Sequence, residues 1–165
     1  MQQDSKLIIE IGIAEMKISE APNILVTRGL GSCVGIALYD SFKKIGALAH
    51  PMLPSIKNAR FKSNPFKFVD SSVSLMLEEF KKRGSLIKNL TAKIFGGAHM
   101  FASIPPESPL NIGARNISMT REVLNSFGIK IIAEDVGGNF GRTIFFDLDS
   151  GKVKVRTIFQ GEREF

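Results

Sequence analysis

Runs of alternating apolar and polar residues recur along most of the chain and predict a protein rich in β-strands. We expect strands over residues 6–13, 24–27, 33–39, 45–50, 90–96, 129–136, 142–147 and 152–158. Asp149-Ser150-Gly151, between the last two of these strands, is typical of a hairpin turn. Only two stretches of the chain show the apolar spacing of an amphipathic helix instead.

The two predicted helices each have an apolar stripe and recognisable ends. The first begins at Asn64-Pro65, where a capping residue precedes a proline favoured in the first turn, and it ends at Gly84. Its stripe comprises Phe66, Val69, Val73, Met76, Leu77 and Phe80. The second opens after Asn111 and ends before Gly128, with an inward face of Ile117, Leu124 and Phe127. This pattern predicts an α+β fold, a single-domain layered α/β sandwich with mixed β-sheets over residues 1–165.

The composition narrows the class of protein. With 165 residues and 44% hydrophobic content, the chain is long enough for one well-packed core. No apolar run approaches the roughly 20 residues of a membrane span, and Met1-Gln-Gln-Asp-Ser-Lys6 lacks the plan of a signal peptide. We therefore expect a cytoplasmic protein without membrane insertion. The single cysteine excludes an internal disulfide and a multi-cysteine zinc site, and we expect no metal or cofactor.

The formal charge of +6 favours an acidic partner. No acidic residue occurs between Asp40 and Asp70, while six basic residues accumulate there: Lys43, Lys44, Lys57, Arg60, Lys62 and Lys67. This stretch predicts a basic rim, although a solvated surface without a specific partner would show the same cluster. Nucleic acid is not expected as the partner, because the chain has no recognisable reading helix or aromatic-basic motif.

The hairpin predicted for residues 33–39 and 45–50 brings the only cysteine, Cys33, near one of two histidines, His50. If its loop has an even number of residues, Tyr39 pairs with Lys44 and Cys33 lies directly opposite His50. Directly opposed Cβ atoms are about 4.5–5.5 Å apart, within reach of a hydrogen bond between thiol and imidazole. An odd loop would shift this register. Gly35 and Gly46, on the same face, would leave room beside the thiol.

A thiol beside an imidazole is a candidate nucleophile. A nearby imidazolium would stabilise the thiolate of Cys33, and His50 would return the proton to a leaving group. Backbone N–H groups around Gly31, Ser32 and Cys33 are candidate donors to an oxyanion, and the Thr27 hydroxyl is placed to orient the imidazole. An isolated cysteine is also often a small buried hydrophobe, and a lone histidine at a strand end is often structural.

Five blocks in order along the chain are similar to the chemoreceptor glutamine deamidases of bacterial chemotaxis, the CheD family. The blocks are Thr27–Val34, Gly46–Pro54, Lys93–Phe101, Asn111–Asn116, and Ala133–Asn139 with Gly141-Arg142. The resemblance implies a three-layer fold, with Cys33 as nucleophile, His50 as general base and acid, and Thr27 as third member of a triad. It further implies a cysteine-dependent amidohydrolase that converts glutamines of chemoreceptor signalling domains to glutamate, releasing ammonia through a thioester. It leaves open the hydrolysis of glutamyl methyl esters.

The resemblance also implies partners: the signalling domain of a chemoreceptor and a chemotaxis phosphatase of the CheC type. The substrate or partner surface it suggests comprises His99, Met100, Phe101, Asn111 and Arg115. A different class of function is a non-catalytic regulatory module that docks such a phosphatase or receptor through Met100 and Phe101. Gly96-Gly97 lacks the lysine and hydroxyl of a phosphate-binding loop, so a nucleotide site is not expected. Asn111 also fits a helix cap without any catalytic role.

Overall fold

The computed structural model describes residues 5–165, which form ten strands and two α-helices. The strands are β1 (Ile8–Ile11), β2 (Met16–Glu20), β3 (Ile24–Leu30), β4 (Val34–Asp40), β5 (Ile45–Ala49), β6 (Leu90–Gly96), β7 (Lys130–Val136), β8 (Arg142–Asp147), β9 (Val153–Thr157) and β10 (Gly161–Glu164). The helices are α1 (Val69–Lys82) and α2 (Ile112–Ser126). Residues 1–4, part of the stretch without a signal-peptide plan, lie outside the described residues.

The strands form two five-stranded mixed sheets. Sheet A has the order β1-β3-β8-β9-β10, in which β1 runs parallel to β3 and the other pairs are antiparallel. Sheet B has the order β2-β5-β4-β6-β7, with β6 and β7 as its parallel pair. The predicted α+β class, with mixed sheets and two main helices, is confirmed.

Sheet B is the middle layer, and this explains why β4 and β5 are apolar on both faces. One face of β4, which includes Ile36 and Leu38, packs in a core with Met76 and Phe80 of α1. The other face, which includes Ala37, packs with sheet A in a second core: Leu25, Leu48, Phe95, Ile144, Phe146 and Val155. Strands covered on both sides read as continuous hydrophobic runs rather than as alternation. The layers are therefore helices, sheet B and sheet A.

The helices follow the predicted pattern with two exceptions. The predicted start of the first helix at Asn64-Pro65 is wrong: Asn64 caps a separate 3₁₀ turn over Pro65–Lys67, and α1 starts only at Val69, because Phe68 is extended and pairs with Leu53. From Val69 to Phe80 the predicted stripe is buried. The prediction that Phe127 faces inward is wrong: it is 39% exposed, because it follows the last turn of α2, at the point where Gly128 turns the chain away with φ +71°. Among residues 5–165, no helix has the length and apolar character needed to cross a membrane.

Two strands, β2 and β10, were not predicted from the pattern of apolar and polar residues. The single strand expected over residues 6–13 is wrong: β1 ends at Ile11 and the chain reverses into β2. The reversal has no glycine or asparagine at its tightest point; Ala14 has φ +59°, and the Glu15 carboxylate accepts a hydrogen bond of 2.7 Å from the Gly12 N–H. Every residue of β10 is exposed, so its sequence does not show the alternation of apolar and polar residues that predicts a strand.

The hairpin of β4 and β5 forms, but its predicted register is wrong. Asp40 pairs with Ile45 and Tyr39 with Gly46, so the pairing is shifted by two residues from a direct contact of Cys33 with His50. The cause is the Asp40 carboxylate, which accepts hydrogen bonds from the N–H groups of the next turn and keeps Asp40 in the strand. A shift of two preserves the face of every side chain.

Candidate active site

Cys33 and His50 lie at neighbouring ends of β4 and β5. His50 directly follows β5 and is fully buried; its backbone exchanges hydrogen bonds with Ala14 and Glu15 at the start of β2. Cys33 is half-buried, directly before β4, and packs against the core between the two sheets. The pairing of β4 with β5 ends at Ile36 and Ala49; continued in the same register, it makes Cys33 and His50 diagonal neighbours, a relationship that separates Cα atoms by about 7–8 Å. The pair is therefore close without being directly opposed.

The Thr27 side chain joins the two sheets at His50. Thr27 lies on β3 of sheet A, and its Oγ1 is 2.7 Å from His50 Nδ1 and 2.7 Å from the carbonyl of Ile11. The carbonyl accepts only, so the single hydroxyl hydrogen goes to Ile11, and Nδ1–H of His50 must donate to Thr27. The neutral imidazole then carries no proton on Nε2. That atom is buried without a hydrogen-bond partner among residues 5–165.

Burial acts on both ionisable groups of the pair in the direction that removes charge. It lowers the pKa of His50 to about 4 and raises the pKa of the Cys33 thiol, against a smaller opposite effect of the residue's own backbone N–H. The free protein therefore holds a neutral thiol and a neutral imidazole near pH 7. The expectation of a thiolate stabilised by a resting imidazolium is not met, because His50 lies in a site too dry to hold the charge.

The segment Gly29–Cys33, here called the cysteine loop, begins at a β-bulge. The pairing of β3 with β8 slips by one residue between Thr27 and Leu30, and Gly29 in the slip has φ +69°. A residue with a side chain would be strained there. The bulge turns the chain from sheet A toward sheet B, and so the same short segment carries Thr27 on one sheet and Cys33 at the edge of the other.

The segment that follows β6, Gly97-Ala98, is hydrogen-bonded to the cysteine loop. Gly97 N–H donates to the carbonyl of Cys33 and Ala98 N–H to the carbonyl of Gly31, both at 2.8 Å. Gly97 has φ +65°, and Gly113 of α2 lets the loop approach so closely that an added Cβ would lie 2.3 Å from the Ala98 carbonyl. The role of this glycine motif is therefore to fix the backbone of the cysteine loop.

Asn116 of α2 supplies the remaining tie and was missed in the sequence as a site residue. It is fully buried, and its Nδ2 donates at 2.9 Å both to the Ser32 carbonyl and to the Met52 carbonyl. One side chain thus joins the cysteine loop to the segment that follows His50. The available signal was a polar residue on the inward face of α2, where Gly113, Asn116, Thr120 and Leu124 are buried.

These ties settle which backbone N–H groups of the cysteine loop are available. Gly31 N–H donates to the Gly29 carbonyl at 3.0 Å, so this predicted oxyanion donor is already occupied. The N–H groups of Ser32 and Cys33 make no hydrogen bond to another residue within the described chain, 5–165. Because the carbonyls on both sides are pinned, these two N–H groups remain as donors for a negative oxygen.

The predicted space beside Gly35 and Gly46 is absent. An added Cβ at Gly35 would lie 2.9 Å from Ile144 Cδ1, and one at Gly46 would lie 2.3 Å from Leu148 Cδ2. The two glycines let sheet A approach sheet B closely, and the gap is filled with core side chains. Approach to the thiol is therefore from the side of the cysteine loop and not from between the sheets.

The other predicted site residues have different surroundings. His99 Nε2 lies 2.6 Å from the Ile104 carbonyl, within its own loop. Asn111 is an N-cap: its side chain accepts from Ala114 N–H at 3.1 Å and donates to Pro106. Arg115 is exposed on α2. His99 is half-buried, and Asn111 is buried.

Met100 and Phe101 are exposed beside the cysteine loop. They are 45% and 65% exposed, and Met100 packs over Gly31, its Cγ 3.4 Å from where a Cβ would stand. Met100 also lines an apolar groove of about 490 Å³ together with Gly29, Phe140, Ile158 and Phe159. Both side chains therefore lie on the surface.

Comparison with known proteins places this chain in one family. The family model described as CheD chemotactic sensory transduction matches residues 52–157, a span that begins after Thr27, Cys33 and His50. A probable chemoreceptor glutamine deamidase CheD of Desulforamulus reducens is 49% identical over 150 residues, 91% of this chain and 90% of its own. The protein of the same name from Clostridium novyi is 48% identical over 155 residues, 94% and 96% of the two chains.

Among solved structures, the hypothetical protein YfiH of Bacillus licheniformis matches with a TM-score of 0.45 and 13% identity. The match covers 72% of this chain and 49% of that one. A likeness at this level carries no argument about the site.

The neutral state of the pair predicts how Cys33 reacts with iodoacetamide. Because burial raises its pKa, the alkylation rate should increase with pH with a midpoint above about 8.5, the ordinary value of a thiol. In His50→Gln the midpoint should stay in place, since a neutral imidazole contributes no charge. A midpoint below about 7 that moves upward in His50→Gln would instead reveal a resting ion pair.

Replacing Asn116 should destabilise the protein by releasing two buried carbonyls. Asn116→Ala leaves the Ser32 and Met52 carbonyls each without this donor, at a cost of about 1–3 kcal/mol per group, so we expect the free energy of unfolding to fall by about 2–6 kcal/mol. Asn125→Ala, at an exposed position of the same helix, is the matched control and should change it by less than about 0.5 kcal/mol. Urea unfolding measures both. Equal effects of the two substitutions would remove the assigned role of Asn116.

Proposed function

This chain belongs to the CheD family, and from that premise we propose that it is a cysteine-dependent amidohydrolase that converts glutamines of chemoreceptor signalling domains to glutamate. The curated relatives are named probable chemoreceptor glutamine deamidases. The observation that carries the proposal is the hydrogen bond of 2.7 Å between Thr27 and His50, which leaves Nε2 of a neutral imidazole unprotonated near the only cysteine. A base in that form is what a thiol with a raised pKa requires.

The first half of the reaction forms a thioester. His50 Nε2 takes the proton from Cys33 as Sγ attacks the side-chain carbonyl carbon of the glutamine, and the carbonyl oxygen becomes an oxyanion. The N–H groups of Ser32 and Cys33 donate to that oxygen. The imidazolium then gives its proton to the amide nitrogen, the carbon–nitrogen bond breaks, and ammonia leaves.

The second half consumes one water. His50 takes a proton from the water, whose oxygen attacks the thioester carbon, and the carbon–sulfur bond breaks. The thiolate recovers the proton from His50, so the products are glutamate, ammonia and the starting enzyme. The same steps on a glutamyl methyl ester would release methanol in place of ammonia, and hydrolysis of such esters is part of the proposal.

Thr27 has a defined part in this cycle. Its Oγ1 accepts from Nδ1–H of His50 in both the neutral and the protonated ring, because Ile11 holds the hydroxyl hydrogen. The imidazolium of the intermediate therefore keeps one hydrogen-bond partner inside a buried site. Burial still disfavours that charge, which drives the proton onward to the leaving nitrogen.

The product places one new negative charge on the receptor for each glutamine converted. Such a charge shifts a two-state receptor toward the arrangement that tolerates it better. The proposal assigns the reaction to the cytoplasm, a compartment in which a single catalytic thiol stays reduced.

A second function is supported by the exposure of Met100 and Phe101 next to the cysteine loop. Exposed large apolar side chains beside a groove are typical of a protein contact. We assign to this surface the docking of a receptor or of a chemotaxis phosphatase of the CheC type. Because Met100 also covers Gly31, a partner bound there would compete with substrate, and docking would regulate catalysis.

The decisive assay is mass spectrometry of a receptor signalling-domain fragment, scored for glutamine converted to glutamate. Cys33→Ala should abolish conversion, and His50→Gln should slow it by about 10²–10⁴-fold, the usual contribution of a general base. His99→Gln is the matched control and should remain within a few-fold of wild type, because the His99 side chain is hydrogen-bonded to the Ile104 carbonyl of its own loop.

Conversion that survives in Cys33→Ala would refute the amidohydrolase. If wild-type protein, shown to be folded, converts nothing, the docking function stands alone. In that case Phe101→Ser should abolish binding of the phosphatase while Cys33→Ala leaves it intact.

A further inference from the structure

A second groove, of about 280 Å³, lies between the segment that follows His50 and the start of α2. It begins at Leu53, three residues after His50, and contains three basic side chains, Arg60, Lys67 and Arg115; no aspartate or glutamate lines it. We call it the cationic groove. It is separate from the apolar groove, which is lined by residues of other segments.

The positive charges of the cationic groove are not neutralised. Within residues 5–165, Arg60, Lys67 and Arg115 form no ion pair with a carboxylate, whereas other basic residues, such as Arg28 and Arg121, do. The guanidinium of Arg60 instead lies 5.6 Å from the ring of Phe61, and that of Arg115 reaches only the Pro109 carbonyl, at 3.5 Å. The cluster is therefore open to anionic groups from outside.

The Asp70 carboxylate helps to hold the wall of the cationic groove at Ser55. This carboxylate accepts from Ser55 Oγ at 2.7 Å and from Ile56 N–H at 3.0 Å. The strand-like contact of Leu53 with Phe68 fixes the other wall. These contacts fix the walls of the groove. The Asp70 carboxylate bonds to Ser55 and Ile56 and not to the arginines.

The cationic groove is coupled to the cysteine loop through one residue. Arg115 precedes Asn116, whose side chain holds both the Ser32 carbonyl and the Met52 carbonyl. Leu53, at the start of the groove, follows Met52 directly. Both carbonyls lie 2.9 Å from the same Asn116 Nδ2, so the wall of the cationic groove at Leu53 lies beside the cysteine loop.

We propose that the cationic groove binds carboxylate side chains one helical turn from the target glutamine, so that the enzyme selects glutamines in acidic helical segments. The inference rests on the proposed function and specifies its substrate. Phe61, 74% exposed beside Arg60, contacts the apolar side of the same helix. Each conversion adds a further carboxylate to such a segment, and the product keeps the character that the groove recognises.

The test compares two glutamine peptides of equal length, one with glutamates a helical turn from the glutamine and one with alanines there. The groove variant is Arg60→Glu with Arg115→Glu. The matched control is Lys81→Glu with Lys88→Glu, which changes the net charge equally on exposed residues near the far end of α1, a helix about 20 Å long. Ammonia release gives kcat/KM for each protein and peptide.

We expect wild type and the control variant to favour the acidic peptide by about tenfold or more at low salt, and this preference to weaken between about 50 and about 500 mM salt. In the groove variant the preference should be lost, so that the ratio of kcat/KM for the acidic peptide to that for the alanine peptide falls to about one. A preference that persists in the groove variant, or is lost equally in the control, overturns the proposal.

Binding to the Cys33→Ala protein separates this inference from the reaction itself. Fluorescence anisotropy with the same two peptides should show tighter binding of the acidic one, and the added groove substitutions should remove the difference. That result supports the cationic groove even if the wild-type protein turns over neither peptide. The absence of turnover would refute only the amidohydrolase activity. Equal binding of the two peptides to Cys33→Ala overturns the groove.

Discussion

The site depends on one hydrogen bond that crosses between the two sheets, from His50 at the end of β5 to Thr27 on β3. Its direction follows from Ile11, whose carbonyl takes the threonine hydrogen and leaves the oxygen as acceptor. The tautomer of the histidine is thus set by the pairing of β1 with β3, in which Ile11 lies beside Thr27. The close packing of sheet A on sheet B, allowed by Gly46, brings the two partners together.

Burial keeps the His50 imidazole neutral, and hydrogen bonds to the backbone of the cysteine loop fix the position of Cys33. A dry site holds the imidazole neutral and the thiol protonated, so charge is created only as the reaction proceeds. Gly97, Ala98 and Asn116 bind three successive carbonyls of the cysteine loop and leave the N–H groups of Ser32 and Cys33 without partners in the described chain. Little reorganisation is then required when an oxyanion forms.

The sequence was informative where local rules dominate and silent where tertiary contacts decide. Asn111 marked the start of α2, because capping is a local interaction, whereas Asn64-Pro65 marked only the 3₁₀ turn before α1. The register of β4 with β5 was missed because the Asp40 carboxylate closes the turn, and β10 was missed because no side chain in it is buried. The neutral state of Cys33 and His50 and the hydrogen bonds of Asn116 depend on the residues that surround each group in three dimensions. The spacing of residues along the chain does not give that information.

The most direct test is nitrogen-15 NMR of the His50 ring in the free protein. We expect Nδ1 to be protonated and Nε2 bare from about pH 5 to about pH 8, with protonation of the ring only near pH 4. Thr27→Val, which removes the acceptor, should disturb this tautomer, and Thr27→Ser should preserve it. A ring protonated on Nε2, or one that titrates near the ordinary value of about 6.5, would contradict the assigned base.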